Sequence, residues 1–355
     1  MRTTLRSKKL ARADASKESR KGGLRVRRLA VIAVTSMLLA GVVGQAHATV
    51  RGKNGRIAFR RYLNQAQTHA AIFTIRRNGT GVRQLTHPPR GVVTDDPDWS
   101  PNGRWILYQV ENEKKGSRLF KMRANGSSRK YLSAGCPLRL DAPGRCGDAS
   151  AQWFPGGKRL ALNRESCGTG STNLTAIYVM RANGTKARQV TQKSATCATS
   201  HRYEDFAPTI APSGKRLAFG RNDNKRGKSA IFIVRLDGTG LRRATPWRFE
   251  AAWPDWSPNG RWLAFVTHDG AETRGNIALV HSDGTGFHRI TNVQGKRKWL
   301  SCSFSPNGKK IQGGRTPGRG QAGNADVYVM NLDGSGRRNL TKSDRWESSS
   351  DWGPR

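Results

Sequence analysis

Apolar and polar residues alternate along most of the chain in short runs that are separated by glycine-containing turns. One phrase contains an alternating run, an Asn-Gly or Asp-Gly pair and a second short run, and it occurs six times. Its turn glycines stand at positions 79, 126, 184, 238, 284 and 334. This pattern predicts a β-hairpin closed by a tight turn with a positive φ. A repeat of about 50 residues with β content predicts a propeller.

A second phrase alternates with the first and contains a short strand, a turn with Pro or Gly, and an apolar strand. Its copies begin at Asp96, Ala151, Ala207, Trp253 and Ser301. Pro fixes φ at the start of such a turn, and Gly supplies the left-handed residue at its end. The two phrases together predict four strands per repeat, which is one propeller blade.

The two ends of the repeat region each contain part of a phrase. The region begins with an apolar strand at Asn54, and it ends with the strand Ser349–Trp352. This last strand can complete the blade whose other three strands lie between Arg56 and Thr86. We therefore predict an all-β, six-bladed β-propeller closed by pairing of the C-terminal strand with the N-terminal blade. Such closure leaves no free sheet edge.

These phrases resemble a known family of repeats. WSPNGRWLAF from Trp256 and IFIVRLDGTGLRRAT from Ile231 are similar to the repeats of TolB-type six-bladed propellers, which also accompany the catalytic domain of prolyl oligopeptidase-like enzymes. The resemblance covers roughly Asn54 to Arg355 and is more specific for fold than for function. TolB proteins carry an α/β domain before the propeller, for which Thr49–Lys53 leaves no room.

The first 48 residues have the organisation of a secretory signal. A basic, polar stretch of 28 residues precedes the uncharged and largely apolar run Leu29–Val43, and Ala46-His47-Ala48 is a small-x-small cleavage site. An uncleaved anchor is the alternative, but the apolar run is shorter than the about 20 residues of a spanning helix. We therefore predict a signal peptide at 1–48 and a propeller at 49–355, with no transmembrane segment after cleavage. The expected product is an exported monomer that is periplasmic, associated with the cell wall or extracellular.

The chain is strongly basic, with 63 Lys and Arg against 24 Asp and Glu and a formal net charge of +39. The positive electrostatic field of such a chain attracts polyanions. An equally good interpretation is that the charge is dispersed and keeps the protein soluble. Nucleic acid is not an expected partner, because an exported protein rarely meets it and no nucleic-acid-binding motif occurs.

Five cysteines in an exported protein suggest two disulfides and one spare thiol. The most local pairing joins Cys136 to Cys146 and Cys167 to Cys197, and the other two pairings of these four residues remain open. Cys302 aligns with an innermost strand, so we predict that it is a buried, small apolar residue.

The candidate binding site lies on the face with irregular loops. First-to-second and third-to-fourth strand turns are short and uniform, whereas the other connections are long, and binding residues concentrate in such loops. Three triplets of a cation, an aromatic residue and a carboxylate, with one partial copy, stand before the innermost strands. This channel-mouth set contains Arg202, Tyr203, Glu204, Arg248, Phe249, Glu250, Lys298, Trp299, Arg345, Trp346 and Glu347. The symmetry of a propeller would bring these residues together in a pocket for a peptide or a sugar. In the alternative interpretation, the aromatic residues pack between blades and the Arg-Glu pairs are solvated ion pairs.

No catalytic residue, metal site or cofactor is predicted, because the chain has neither a His-Glu-x-x-His nor a Gly-x-Ser-x-Gly motif. The Asp-Gly-Thr-Gly sequences recur without a following helix and are interpreted as hairpin turns. The function predicted from sequence is therefore non-enzymatic binding of an envelope protein or peptide at the irregular face and channel mouth. The alternative is an anionic cell-wall or extracellular polysaccharide, bound or cleaved by a glycan lyase or hydrolase activity.

Overall fold

The computed structural model describes residues 51–112, 116–133, 136, 146–166, 174–194, 201–268, 275–293, 297–317 and 324–355. The predicted signal peptide at 1–48, and the cysteines at positions 167 and 197, lie outside the described residues. No helix among the described residues is long and apolar enough to cross a membrane.

The described residues form 24 strands, which make six four-stranded blades, and the strand count agrees with the two sequence phrases. Blades 1 to 3 contain β1 (Asn54–Tyr62), β2 (Ala70–Arg76), β3 (Arg83–Gln84), β4 (Val93–Trp99), β5 (Trp105–Asn112), β6 (Gly116–Arg123), β7 (Lys130–Tyr131), β8 (Gly147–Trp153), β9 (Arg159–Ser166), β10 (Leu174–Arg181) and β11 (Arg188–Gln189). Blades 4 to 6 contain β12 (Tyr203–Ile210), β13 (Arg216–Asp223), β14 (Lys228–Arg235), β15 (Arg242–Arg243), β16 (Ala252–Trp256), β17 (Trp262–His268), β18 (Gly275–His281), β19 (His288–Arg289), β20 (Ser303–Phe304), β21 (Lys310–Arg315), β22 (Asp326–Asn331) and β23 (Arg338–Asn339). The last strand, β24 (Glu347–Pro354), belongs to blade 1.

The ring closes through the C-terminal strand. β24 pairs antiparallel with β1, and this register places Trp352 opposite Ile57 and Glu347 opposite Arg61. Neighbouring innermost strands are in contact all the way round, in the order β4, β8, β12, β16, β20 and β24. A single parallel bridge between Ala70 and Val93 joins the sheets of blades 1 and 2. The described residues therefore form the six-bladed propeller predicted from the repeats.

The hairpin turns follow the predicted positive φ, and the left-handed residue is the glycine. In blade 3, Gly184 has a φ of +86°, and a Cβ there would lie only 2.3 Å from the carbonyl oxygen of Leu132 in the preceding blade. The turn is therefore also a point of contact between blades, which no larger residue could occupy without moving the backbone.

The hydrophobic core lies between the blades. Six large apolar side chains occupy the same place near the end of each innermost strand and are buried: Trp99, Trp153, Ile210, Trp256, Phe304 and Trp352. Each joins a cluster that takes residues from two blades, as where Trp352 packs with Ile57 of β1 and Val327 of β22. Burying apolar surface at every blade interface stabilises the ring by about 25 cal/mol per Å². The aromatic residues of the repeated phrase are thus structural.

Two of the cysteine predictions fall within the described residues. Cys136 and Cys146 form a disulfide, as the local pairing predicts. Cys302 is free and fully buried just before β20, and burial raises the pKa of its thiol well above the usual value. This thiol is therefore a packed apolar group rather than a nucleophile.

Candidate functional site

Five of the six innermost strands contain a bulge shortly before the buried apolar residue of the repeated phrase. The strand register shifts there in β4, β8, β12, β16 and β24. One residue at each of these bulges has a left-handed backbone, namely Asp96, Ser150, Ala207, Trp253 and Ser349. Bulges re-aim side chains and are common next to functional sites. The bulge therefore marks one equivalent position in these five blades, three residues before the buried apolar residue.

Two buried carboxylates of the innermost strands pair across the sheet with arginines of the second strand. Asp148 accepts two hydrogen bonds from Arg164, at 2.6 and 3.0 Å, and Asp205 accepts two from Arg221, at 2.6 and 2.8 Å. In both pairs the two residues stand directly opposite each other in adjacent strands. These bidentate pairs fix the start of the innermost strands and leave their guanidinium groups unavailable to a ligand.

Glu347 of the channel-mouth set belongs to the same class of pair. Its carboxylate is fully buried and accepts a hydrogen bond of 2.5 Å from Arg61. Burial raises the pKa of Glu347 to about 7, and the Arg61 guanidinium opposes that rise. The partner of this carboxylate is therefore an arginine of β1 and not the neighbouring Arg345.

The first triplet, around Tyr203, forms contacts within blade 4. Arg202 binds Asp223 through two hydrogen bonds, at 3.1 and 2.8 Å, while Glu204 accepts weaker bonds from Asn222 and Asn224. Tyr203 contacts two guanidinium groups, since Arg202 and Arg221 stand 5.0 and 4.9 Å from its ring centroid. These two cation–π contacts help to hold the ring in place.

The second triplet is divided between packing and surface. Phe249 stacks on Phe287 with a centroid distance of 3.9 Å and packs against the core between blades 4 and 5. Arg248 is exposed and lies over the Phe249 ring, whereas Glu250 binds Lys228 at 2.5 Å. Only the Arg248 guanidinium of this triplet is free to reach a ligand at the surface.

The partial copy at Lys298 and Trp299 is mostly internal. Trp299 is fully buried and meets Tyr328 edge to face. The backbone N–H of Lys298 donates to Thr316 at 2.9 Å, and its side chain is half-buried. Trp299 is therefore a core residue in this structure.

The third triplet borders a cavity on the irregular face where blades 6 and 1 meet. This loop cavity has a volume of about 290 Å³ and is lined by Asn64, Gln65, Gln67, Asn324, Asp344, Arg345 and Trp346. Arg345 donates a hydrogen bond of 3.3 Å to the carbonyl of Leu63, and its guanidinium lies 3.8 Å from the exposed carboxylate of Asp344. The indole N–H of Trp346 is buried and has no hydrogen-bond partner among the described residues.

Sequence reasoning named Arg345 and Trp346 but missed the amides beside them. Asn64, Gln65 and Gln67 follow β1, and Asn324 precedes β22, so these residues come from two loops with no repeated pattern. Chain closure alone brings them to one place, and no local signal could have identified them. Convergence of all the triplets on one mouth remains a prediction.

A second buried polar cluster connects blade 1 to blade 2. Arg60 of β1 binds both Asp95 of β4 and Ser348 of β24. Burial and, to a smaller extent, the Asp95 carboxylate raise the pKa of Glu111 to about 7, and burial likewise raises the pKa of Asp96 well above its usual range. More carboxylates than arginines occupy this cluster, so it can hold a proton near neutral pH.

Metal ligation finds little support among the described residues. One group of three potential ligands contains Cys136, Cys146 and Asp148. Because the two cysteines are bonded to each other, their sulfur atoms are not available as thiolates.

No protein-family model matches the chain, and no curated protein matches its sequence. Solved structures do match. TolB from Acinetobacter baumannii has a TM-score of 0.65 at 18% identity over 91% of this chain and 71% of that one. A putative TolB from Agrobacterium tumefaciens has a TM-score of 0.58 at 18% identity over 84% and 99%. An oligogalacturonate lyase in complex with manganese has a TM-score of 0.53 at 11% identity over 86% and 80%. At these identities the likeness is one of fold, and by its fold this chain is a TolB-like six-bladed β-propeller.

Proposed function

We propose that the chain is an exported, non-enzymatic propeller that binds an envelope protein or peptide at its irregular face. The loop cavity between blades 6 and 1 is the anchor site. The observation that carries the proposal is the lining of this cavity, in which Arg345 and Trp346 lie beside side-chain amides from two loops. A ligand carbonyl that reached the unpaired indole N–H of Trp346 would recover the about 1–3 kcal/mol that an unpaired buried donor costs.

The lining of the loop cavity suits a peptide backbone. Its side-chain amides both donate and accept hydrogen bonds, as a peptide backbone does, and its volume of about 290 Å³ is that of a small ligand pocket. Trp and Arg are also the residue types that most often carry the binding energy of a protein interface. Arg345 and Trp346 would therefore supply the strongest contacts, with the amides fixing the backbone of the ligand.

The alternative ligand, an anionic polysaccharide, is less compatible with this cavity. One arginine and one aspartate line it, and the Asp344 carboxylate is largely exposed. Such a lining offers no net positive charge to a polyanion. The alternative keeps the support of the overall charge of +39 and of the fold likeness to an oligogalacturonate lyase.

Export is supported by the disulfide between Cys136 and Cys146. Disulfides persist in oxidising compartments and are rare in the cytosol, where thiols stay reduced. An exported chain would meet partners in the cell envelope. The predicted signal at 1–48 is the sequence basis of this part of the proposal.

The test is selection of peptides against the purified protein, followed by affinity measurement on variants. Trp346→Phe keeps an aromatic ring but removes the indole N–H, and Arg345→Ala removes the guanidinium. We expect each to weaken the selected peptides by about 3- to 30-fold, which corresponds to about 0.7–2 kcal/mol. Arg104→Ala and Arg261→Ala, on the opposite face, are the matched controls and should leave affinity unchanged.

Two results would contradict the proposal. Equal losses in the cavity variants and the controls would indicate diffuse charge attraction. Preferential binding of polygalacturonate, with an affinity that falls steeply as salt rises, would favour the polysaccharide, because exposed charge contacts are screened by salt.

A further inference from the structure

A second cavity lies on the opposite face, at the seam where the chain closes its ring. It has a volume of about 440 Å³ and is lined by Asn54, Gly55, Arg56, Arg76, Arg77, Asn78 and Arg355. They lie at the start of β1, at the end of β2 and in the turn that follows it, and directly after β24. The seam itself is a backbone contact, since Asn54 pairs with Pro354 and the N–H of Arg355 donates to Lys53 at 2.8 Å.

The seam cavity concentrates positive charge. Arg56 and Arg76 stand directly opposite each other on β1 and β2, an arrangement in which like charges repel. Arg56 donates to neutral acceptors, including Thr74 Oγ1 at 3.2 Å and the carbonyl of Gly81. None of the described residues that line the cavity has a carboxylate side chain. Burial lowers the pKa of Arg56, and the neighbouring arginines Arg76 and Arg83 lower it further.

Three other blades avoid this repulsion at the same register. Trp105 stands opposite Arg123 with the cation 5.1 Å from its ring, and Trp262 stacks on His281 with a centroid distance of 3.6 Å. Lys310 in blade 6 stands opposite the neutral Asn331. In each of these blades at least one of the two opposed cations is replaced by an aromatic residue or an amide.

Blades 3 and 4 also have two arginines opposite each other at this register, but they lack an arginine equivalent to Arg77. The residue after the turn arginine is Ala182 in blade 3 and Leu236 in blade 4, where blade 1 has Arg77. The turns of blades 4, 5 and 6 also contain an aspartate where blade 1 has Asn78. Two opposed arginines followed by a third arginine in the turn, without an acid there, therefore occur in blade 1 alone among the six repeats.

We propose that the seam cavity binds a phosphate group through Arg56, Arg76 and Arg77. Guanidinium groups present paired donors that match the oxygens of an oxyanion. A phosphate has up to two negative charges and enough oxygens for three guanidinium groups, whereas a carboxylate offers two oxygens and one charge. The bound phosphate would neutralise the Arg56–Arg76 repulsion and link β1 to the adjacent turn beside the seam. This site lies on the face opposite the loop cavity, so it is independent of the proposed partner site.

The experiment titrates the full chain with inorganic phosphate and, separately, with tripolyphosphate, at an ionic strength held constant with sodium chloride. Calorimetry and the melting temperature are both recorded, because a ligand that binds only the native state raises the melting temperature. The test variants are Arg77→Gln, which replaces an exposed side chain and should fold normally, and the double variant Arg76→Gln with Arg77→Gln. The matched control is Arg216→Gln with Arg235→Gln, at the same register in blade 4.

We expect saturable phosphate binding and a higher melting temperature for the wild type and for the control. The double variant should lose affinity by about tenfold or more, and Arg77→Gln by less. Equal affinity for the two probes would indicate that free phosphate is the natural ligand. Much tighter binding of tripolyphosphate would indicate the phosphate of a polymer. Non-saturable binding, or an equal loss in the blade 4 control, would overturn the proposal.

Discussion

The carboxylate of Asp98 in blade 2 accepts a hydrogen bond of 2.9 Å from the backbone N–H of Trp153 in blade 3. The same bond recurs at two other interfaces, from Phe304 N–H to Asp255 at 2.6 Å and from Trp99 N–H to Asp351 at 2.8 Å. All three aspartates are buried. In these three blades the aspartate before the structural aromatic therefore links to the next blade, and the bond from Trp99 to Asp351 ties the C-terminal strand to blade 2.

Removing one of these links should lower stability. Asp255→Ala leaves the buried N–H of Phe304 without its acceptor, and we expect a loss of about 1–3 kcal/mol in the free energy of unfolding. Asp255→Asn keeps a carbonyl oxygen in place and should cost less. Urea unfolding followed by tryptophan fluorescence measures both, and equal stability of Asp255→Ala and wild type would show that the link contributes nothing.

Deleting residues 348–355 should destabilise the ring. This change removes nearly all of β24, bares β1 along its length and eliminates the Asp351 link, so we expect a loss of several kcal/mol and aggregation through the open edge. Removal of Arg355 alone, whose side chain is exposed, is the control. Thermal melting and light scattering report the result, and an unchanged melting temperature with full solubility would contradict closure by this strand.

The cysteines should differ in their reactivity. Non-reducing peptide mapping should recover the peptides of Cys136 and Cys146 as a linked pair. Cys302 should react with iodoacetamide only after unfolding, because it is buried and its pKa is raised well above the usual value. Rapid labelling of Cys302 in the native protein would contradict its position in the core. The same map tests the predicted pairing of Cys167 with Cys197.

The repeated phrases predicted the blades because each phrase contains its own strand period and turn chemistry. Trp256 and its counterparts could be identified as structural because they recur at one position of every repeat. The partners of Glu347 and Phe249 could not be predicted, because Arg61 lies at the other end of the chain and Phe287 lies in the next hairpin. Neighbouring residues in the triplets suggested local Arg-Glu pairs, whereas the strand register selected an arginine on β1 for Glu347.

Stability should depend on pH through Glu111 and Glu347, whose pKa values are raised to about 7 mainly by burial. Both usual values are 4.5, so between pH 4.5 and 7 the native state binds more protons at these sites than the unfolded state does. Their contribution therefore favours folding at the low end of this window and is lost as pH rises through 7.

The measurement is the difference in melting temperature between pH 5 and pH 8 at constant ionic strength, compared between wild type and Glu347→Gln. The variant cannot ionise at this position, so its melting temperature should fall less between pH 5 and pH 8 than that of wild type. Comparing the two proteins removes the contribution of the large net positive charge, which both share. Asp237→Asn is the control, because hydrogen bonds from Thr239 lower the pKa of that carboxyl and place its titration below the window. An identical pH dependence in wild type and Glu347→Gln would mean that Arg61 keeps this buried carboxylate ionised throughout.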